Sequence, residues 1–100
     1  MAWHLYVVRT VDDTLYAGIA TDVERRYEEH RARNTRSAKY LLAHEPRELA
    51  FDVEIGDRSL ALKVEHAFKR LSRADKEAIL AAEELCFDLE TGAIELAREA

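Results

Sequence analysis

The sequence predicts an α+β fold: a small three-stranded antiparallel sheet flanked by helices, in the order β-β-α-(α)-β-α-α. Three observations predict it. Two short aromatic and β-branched runs, residues 3–9 and 14–19, lie on either side of a polar turn. A third run, residues 48–55, alternates apolar and polar side chains. Elsewhere, apolar residues recur at helical spacing behind residues that cap helices.

Trp3-His4-Leu5-Tyr6-Val7-Val8-Arg9 reads as the first strand, because its side chains suit a half-buried pleated surface. Thr14-Leu15-Tyr16-Ala17-Gly18-Ile19 reads as the second, and the polar stretch Thr10 to Asp13 makes the pair a hairpin. Loop length sets the register. A two-residue loop at Asp12-Asp13 pairs Val8 with Ala17 and sends Tyr6 and Tyr16 to opposite faces. A three-residue loop, Val11 to Asp13, sets Tyr6 opposite Gly18 and Tyr16 opposite Val8, all on one face. The odd-length connection is the expectation. Gly18 weakens a strand, which marks a bulge or a close approach, and here it leaves room beside the Tyr6 ring.

Thr21-Asp22-Val23-Glu24 has the form of a capping box, opening a helix over about 22–32 with Val23, Tyr27 and His30 on its stripe. Residues 37–43 fit a short helix stopped before Pro46. In the third strand Leu49, Phe51, Val53 and Ile55 share a face, and Gly56 ends it. Asp57 is placed to cap a helix over about 58–71, whose stripe is Leu60, Ala61, Val64, Phe68 and Leu71. Ser72 opens a further helix over about 73–85 that buries Ile79 and Leu80. The remainder, Cys86 to Ala100, is interrupted by Gly92 and reads as a terminal helix, packed on the core or on a second copy.

One hundred residues supply one core. With 48% hydrophobic residues, the chain is too apolar for intrinsic disorder. No apolar run reaches the roughly 18–20 residues that span a bilayer, and the opening residues do not form a signal peptide. A single cysteine, Cys86, excludes an internal disulfide, and a reduced cytoplasmic setting is the default. No cation neighbours Cys86 in sequence to activate its thiol. The net charge of −5 is unevenly spread. Residues 74–100 hold two basic and eight acidic side chains, whereas 25–47 hold seven and three, and 58–73 hold five and one.

No phosphate-binding glycine loop, nucleophile elbow or zinc-protease signature is present. What remains is Tyr6, Tyr16, Gly18, Arg26, His30 and Glu65. On spacing alone each has a structural explanation: strand tyrosines are common, Arg25 and Arg26 can pair with Glu29, and Glu65 can pair with Lys69 one turn on. Each also has a chemical one. A guanidinium is a fork of donors for phosphate, His30 lies one turn beyond Arg26, and a carboxylate can ligate a hard divalent cation.

The ordered set resembles the GIY-YIG nuclease superfamily, most closely its small single-domain bacterial members. His4-Leu5-Tyr6 and Tyr16-Ala17-Gly18 are similar to its two tyrosine-bearing strands. Thr21 to His30 resembles its arginine helix, with Arg26 at the arginine. Gly56 to Glu65, followed by Lys69 and Lys76, resembles its glutamate helix. The likeness spans about residues 3–80. It departs at His4, Leu5 and Ala17, which are packing positions, and at Ile19, where the repair-nuclease branch has lysine.

The resemblance implies a nuclease-like domain over 1–85 and an acidic C-terminal tail over 86–100, read as helical. It implies a metal-dependent phosphodiesterase acting on DNA with low sequence specificity. The alternative is a catalytically inactive module binding nucleic acid or a protein partner. Tyr6, Tyr16, Arg26 and His30 are the implied catalytic residues. The tyrosines would position or deprotonate the attacking water, Arg26 would hold a phosphate oxygen, and His30 would bond water or phosphate. Glu65 is the implied ligand of one divalent cation, Mg²⁺ or Mn²⁺. Gly18, Arg25, Lys39 and Lys69 are the nucleic-acid contacts. Branched, nicked or single-stranded DNA is the implied partner, with a protein partner supplying specificity and no membrane involved.

Overall fold

The computed structural model describes residues 1–33 and 37–96. Its elements are β1 (Trp3–Thr10), β2 (Leu15–Ala20), α1 (Val23–Ala32), α2 (Lys39–Ala43), β3 (Pro46–Gly56), α3 (Arg58–Lys69), α4 (Arg73–Ala82), β4 (Cys86–Phe87) and β5 (Ile94–Glu95). The expected α+β architecture is present: an antiparallel sheet in the order β2-β1-β3 with helices against it.

β1 is central, and its alternation builds two cores. Leu5 and Val7 join Ala17, Phe51, Ala61, Val64 and Phe68 in the core under α3 and α4. Tyr6 and Val8 join Ala20, Val23 and Leu41 on the opposite face, under α1 and α2. With both faces covered, Leu5 to Val8 are at most 1% exposed. β2 is therefore an edge strand with contacts to α1 and to α3, which brings two helices from opposite sides to one edge.

The hairpin takes the three-residue connection. Tyr6 faces Gly18 and Val8 faces Tyr16. The loop closes through Thr10 N–H to the Thr14 carbonyl at 2.9 Å and Asp13 N–H to the Thr10 carbonyl at 3.0 Å. Asp13 takes the left-handed conformation at φ 62°, a position usually given to glycine but tolerated by aspartate.

Capping explains the helix starts. Asp57 accepts from Leu60 N–H at 2.8 Å and Ser72 from Asp75 N–H at 3.1 Å, as the sequence predicts. For α1 the cap is Asp22 rather than Thr21, accepting from Arg25 N–H at 3.1 Å. α4 stops at Ala82 because Glu83 turns left-handed.

Two further expectations are corrected. Leu49 does not share a face with Phe51. A register shift between Val7 and Val8 leaves Ala50 extra in β3, so Leu49 packs in the Tyr6 core while Phe51 packs under α3. The stretch from Cys86 is not helical over its described part. It forms a hairpin, Cys86 pairing with Glu95 and Phe87 with Ile94. The Asp88 side chain accepts from Glu90 and Thr91 N–H, both at 2.8 Å, and Gly92 sits at φ 72°. Turn chemistry and two apolar side chains packed on the α3 core favour the hairpin over an acidic helix. Residues 97–100 of that expected helix lie outside the described residues.

Candidate active site

The site is built at the β2 edge. Gly18 presents no side chain, and the Tyr6 ring fills the space. A Cβ on Gly18 would stand 2.5 Å from the Tyr6 hydroxyl oxygen and 2.7 Å from its ring carbon Cζ. Tyr16 lies beside it on the same face, with ring centroids 6.4 Å apart. From α1, His30 brings its ring to 5.8 Å from both tyrosine rings.

His30 is fully buried. Its Nδ1 accepts from the Ala38 N–H at 3.3 Å, and its Nε2 lies 2.8 Å from the Tyr6 hydroxyl. A backbone N–H can only donate, so Nδ1 is unprotonated and Nε2–H donates to Tyr6. Burial, helped by the charge of Arg26, pulls the His30 pKa down to about 4. Burial also pushes the Tyr6 phenol up, against the pull of Arg26, which hydrogen-bonds and attracts the phenolate form. At neutral pH, Tyr6 is a protonated phenol that accepts from the neutral imidazole behind it.

This has a consequence for stability. From pH 6.5 down to about 4, the unfolded chain binds a proton at His30 that the folded chain refuses. Stability should therefore fall with pH across that window, by up to about 3 kcal/mol at this site. Denaturant titration at pH 7 and pH 5 should show a steeper loss for the wild type than for His30→Gln. Parallel losses would mean that His30 is not held neutral.

The partly exposed groups of the cluster are Tyr16, Arg26 and Glu65. The Arg26 side chain is 31% exposed and reaches Glu29 at 3.1 Å. From α3, Glu65 is 19% exposed and lies 3.5 Å from Lys69, whose ammonium sits 5.9 Å over the Tyr16 ring. Glu65 is close enough for its charge to act on Tyr6. The structural pairings of Arg26 with Glu29 and of Lys69 with Glu65 are thus present alongside the clustering. Two grooves flank it. One, of about 280 Å³, is lined by Tyr16, Tyr40, Lys69 and Lys76. The other, of about 350 Å³, is lined by Trp3, Ile19, Arg25 and Arg26.

Residues 2–78 match the family model described as the GIY-YIG catalytic domain. The chain belongs to the GIY-YIG family. It is similar to the UPF0213 protein YhbQ of Escherichia coli O8 (strain IAI1), 47% identical over 79% of this chain and 77% of that protein. The YhbQ protein of Salmonella arizonae is 44% identical over 82% of this chain and 80% of its own length. Among solved structures it is similar to the solution structure of the UPF0213 protein BH0048 from Bacillus halodurans. That match has a TM-score of 0.53 and 29% identity, over 83% of this chain and 86% of the other.

Within this GIY-YIG domain the structure brings Tyr6, Tyr16, Gly18, Arg26, His30 and Glu65 to one edge. Lys69 stands over Tyr16 and Arg25 beside Arg26. Lys39 is exposed at the first residue of α2. Tyr6 and His30 lie beneath the surface, so the expected contact of His30 with water or phosphate is replaced by its bond to Tyr6. Tyr40 and His44 were not expected here. Tyr40 stacks 5.8 Å from Tyr16, His44 stacks 4.2 Å from Tyr40, and Asp12 holds His44 at 2.7 Å. Their i,i+4 spacing, from within the short helix to the residue that caps its end, was the available signal.

The donor set fits a hard cation. Glu65 offers carboxylate oxygen, and no group of three or more His, Cys, Asp or Glu side chains converges among the described residues. Among the described residues no helix is long and apolar enough to cross a membrane.

Proposed function

We propose that this protein is a divalent-metal-dependent phosphodiesterase that cleaves DNA with low sequence specificity. The observation that carries this reading is the convergence of Tyr16, Arg26 and Glu65 around the buried Tyr6, from two helices on opposite faces of the sheet. A cation held at Glu65, Mg²⁺ or Mn²⁺, would neutralise charge at the scissile phosphate and leaving oxygen. Arg26 sets its planar fork on a phosphate oxygen, where charge builds in the transition state. The Tyr16 hydroxyl orients the attacking water. Tyr6 is a positioning residue: clamped by His30, it lies within reach of the Arg26 charge, which Glu29 holds at 3.1 Å.

Lys69 and Lys76 beside Tyr16, Arg25 beside Arg26, and Lys39 on α2 contact flanking phosphates. The backbone of Gly18 lets the strand come close. Phosphate contacts position a strand without reading its bases, which supports low specificity. Branched, nicked or single-stranded DNA, as arises in repair, is the proposed substrate, with a protein partner adding selectivity.

Purified protein given Mn²⁺ or Mg²⁺ should cut labelled DNA of one of these forms, and EDTA should stop it. Arg26→Lys keeps the charge but loses the fork, and should slow cleavage about 10²-fold, the scale of one lost transition-state donor. Binding without cleavage, across both metals and all three DNA forms, would favour a non-catalytic binding module instead.

A further inference from the structure

The basic run over residues 58–73 is divided by the structure. Arg58 lies 5.6 Å over the Trp3 ring. Lys69 is at Glu65, and Arg73 pairs with Glu77 at 2.9 Å and Asp13 at 3.5 Å. Lys63 and Arg70 remain. With His66 they stand at i, i+3 and i+7, one exposed stripe along α3. At 100° per residue this stripe lies about 100–160° around the helix from Glu65.

Here α3 and the β4–β5 hairpin enclose an open groove of about 390 Å³. Lys63, His66 and Arg70 line it from the helix, Thr91 and Ile94 from the hairpin, and no acidic side chain lines it. Gly92 allows the approach, since a Cβ there would stand 2.6 Å from the Lys63 Cβ. Lys63 Nζ donates to the Glu90 carbonyl at 3.2 Å, a neutral acceptor that leaves its charge uncompensated. Among the described residues no ion pair ties Lys63, His66 or Arg70 to a carboxylate. A groove whose charged lining is entirely basic, in a chain of net charge −5, runs against the composition around it.

We infer that this groove is a second nucleic-acid contact, which takes backbone phosphates of the strand a few nucleotides from the one held at the active site. The inference rests on the reading that the active site takes nucleic acid. Geometry supports it, because Lys69 and Arg70 are adjacent. A strand leaving Tyr16 over Lys69 has only about 10 Å of arc to follow around a helix some 10–12 Å across. Ala67, Leu71, Ala93 and Ile94 make the floor of the groove apolar, while Lys63 and Arg70 supply donors and charge at its rim for phosphate, which adds affinity rather than sequence preference.

The test is fluorescence anisotropy with labelled single-stranded DNA of about 4 and about 16 nucleotides, in EDTA so that nothing is cut. Wild type should bind the longer strand at least tenfold tighter than the shorter one. Lys63→Ala/His66→Ala/Arg70→Ala should lose that gain. Its plot of log affinity against log salt should flatten by about 1.4 to 2.1, for two or three single-strand phosphate contacts. Lys63→Arg/Arg70→Lys keeps the charges and should keep the gain, which separates lost contacts from a damaged fold. An unchanged length dependence and salt slope in the triple alanine variant overturns the inference. So does displacement from the groove by an acidic peptide but not by DNA. Groove-dependent binding in EDTA, with no cleavage once Mg²⁺ or Mn²⁺ is supplied in excess, removes the nuclease reading alone. Cleavage with unaltered binding by the triple variant removes the groove alone.

Discussion

Glu65→Ala is expected to abolish metal-dependent cleavage, with a loss of three orders of magnitude or more, about 4 kcal/mol of transition-state stabilisation. Glu65 is the carboxylate that α3 carries to the tyrosine cluster, and its charge is felt at Tyr6. Among the described residues no group of three or more His, Cys, Asp or Glu side chains converges to hold a cation without it. Glu65→Gln should fail nearly as completely, because it keeps the shape but not the charge a hard cation needs. Both variants should remain folded. Glu65 lies outside the buried core, and its pair with half-exposed Lys69 contributes less than about 1 kcal/mol. Cleavage rates with Mn²⁺ and thermal unfolding, measured on the same preparations, separate the two effects. Equal cleavage by wild type and Glu65→Ala would assign the activity to a contaminant.

The parts of this site that the sequence reveals are those set by local counting. Alternation along β1 and β2, with a three-residue loop, is enough to put Tyr6, Tyr16 and Gly18 on one face. Helical periodicity is enough to put Arg26 and His30 one turn apart and to assign the Ala61, Val64 and Phe68 stripe. What it conceals depends on partners distant in the chain. The His30 stripe position does not tell whether its ring meets solvent or a phenol. That is decided by Ala38, which returns eight residues later to occupy Nδ1. The extra residue Ala50 in β3 is a property of its pairing with β1, not of its own alternation. The tail reads as a helix in isolation because the α3 surface that captures Phe87 and Ile94 is invisible from residues 86–96. Tyr40 and His44 join Tyr16 only once α2 is docked beside the hairpin.

Gly18→Ala is the second large effect, and it tests whether the buried half of the site has any slack. The new methyl would meet the Tyr6 hydroxyl oxygen at 2.5 Å, whereas carbon contacts are comfortable at about 3.5–4.0 Å. The ring must therefore move by about 1 Å. It has nowhere to go: Tyr6 is 1% exposed, and its oxygen is held by His30, itself fully buried and anchored to the Ala38 backbone. Overpacking of this kind costs about 1–3 kcal/mol, and a broken Tyr6–His30 bond adds about 1–3 kcal/mol for the group left unpaired. At about 4–8 °C per kcal/mol for a domain of this size, melting should fall by at least roughly 10 °C. Activity below that melting point should fall further than the folded fraction does, because a 1 Å displacement in a catalytic array costs about 10²-fold. Tyr6→Phe/Gly18→Ala removes the oxygen that the methyl strikes first. It should recover part of the stability without recovering the rate. A Gly18→Ala protein with wild-type melting and wild-type cleavage would mean that Tyr6 is not locked in place.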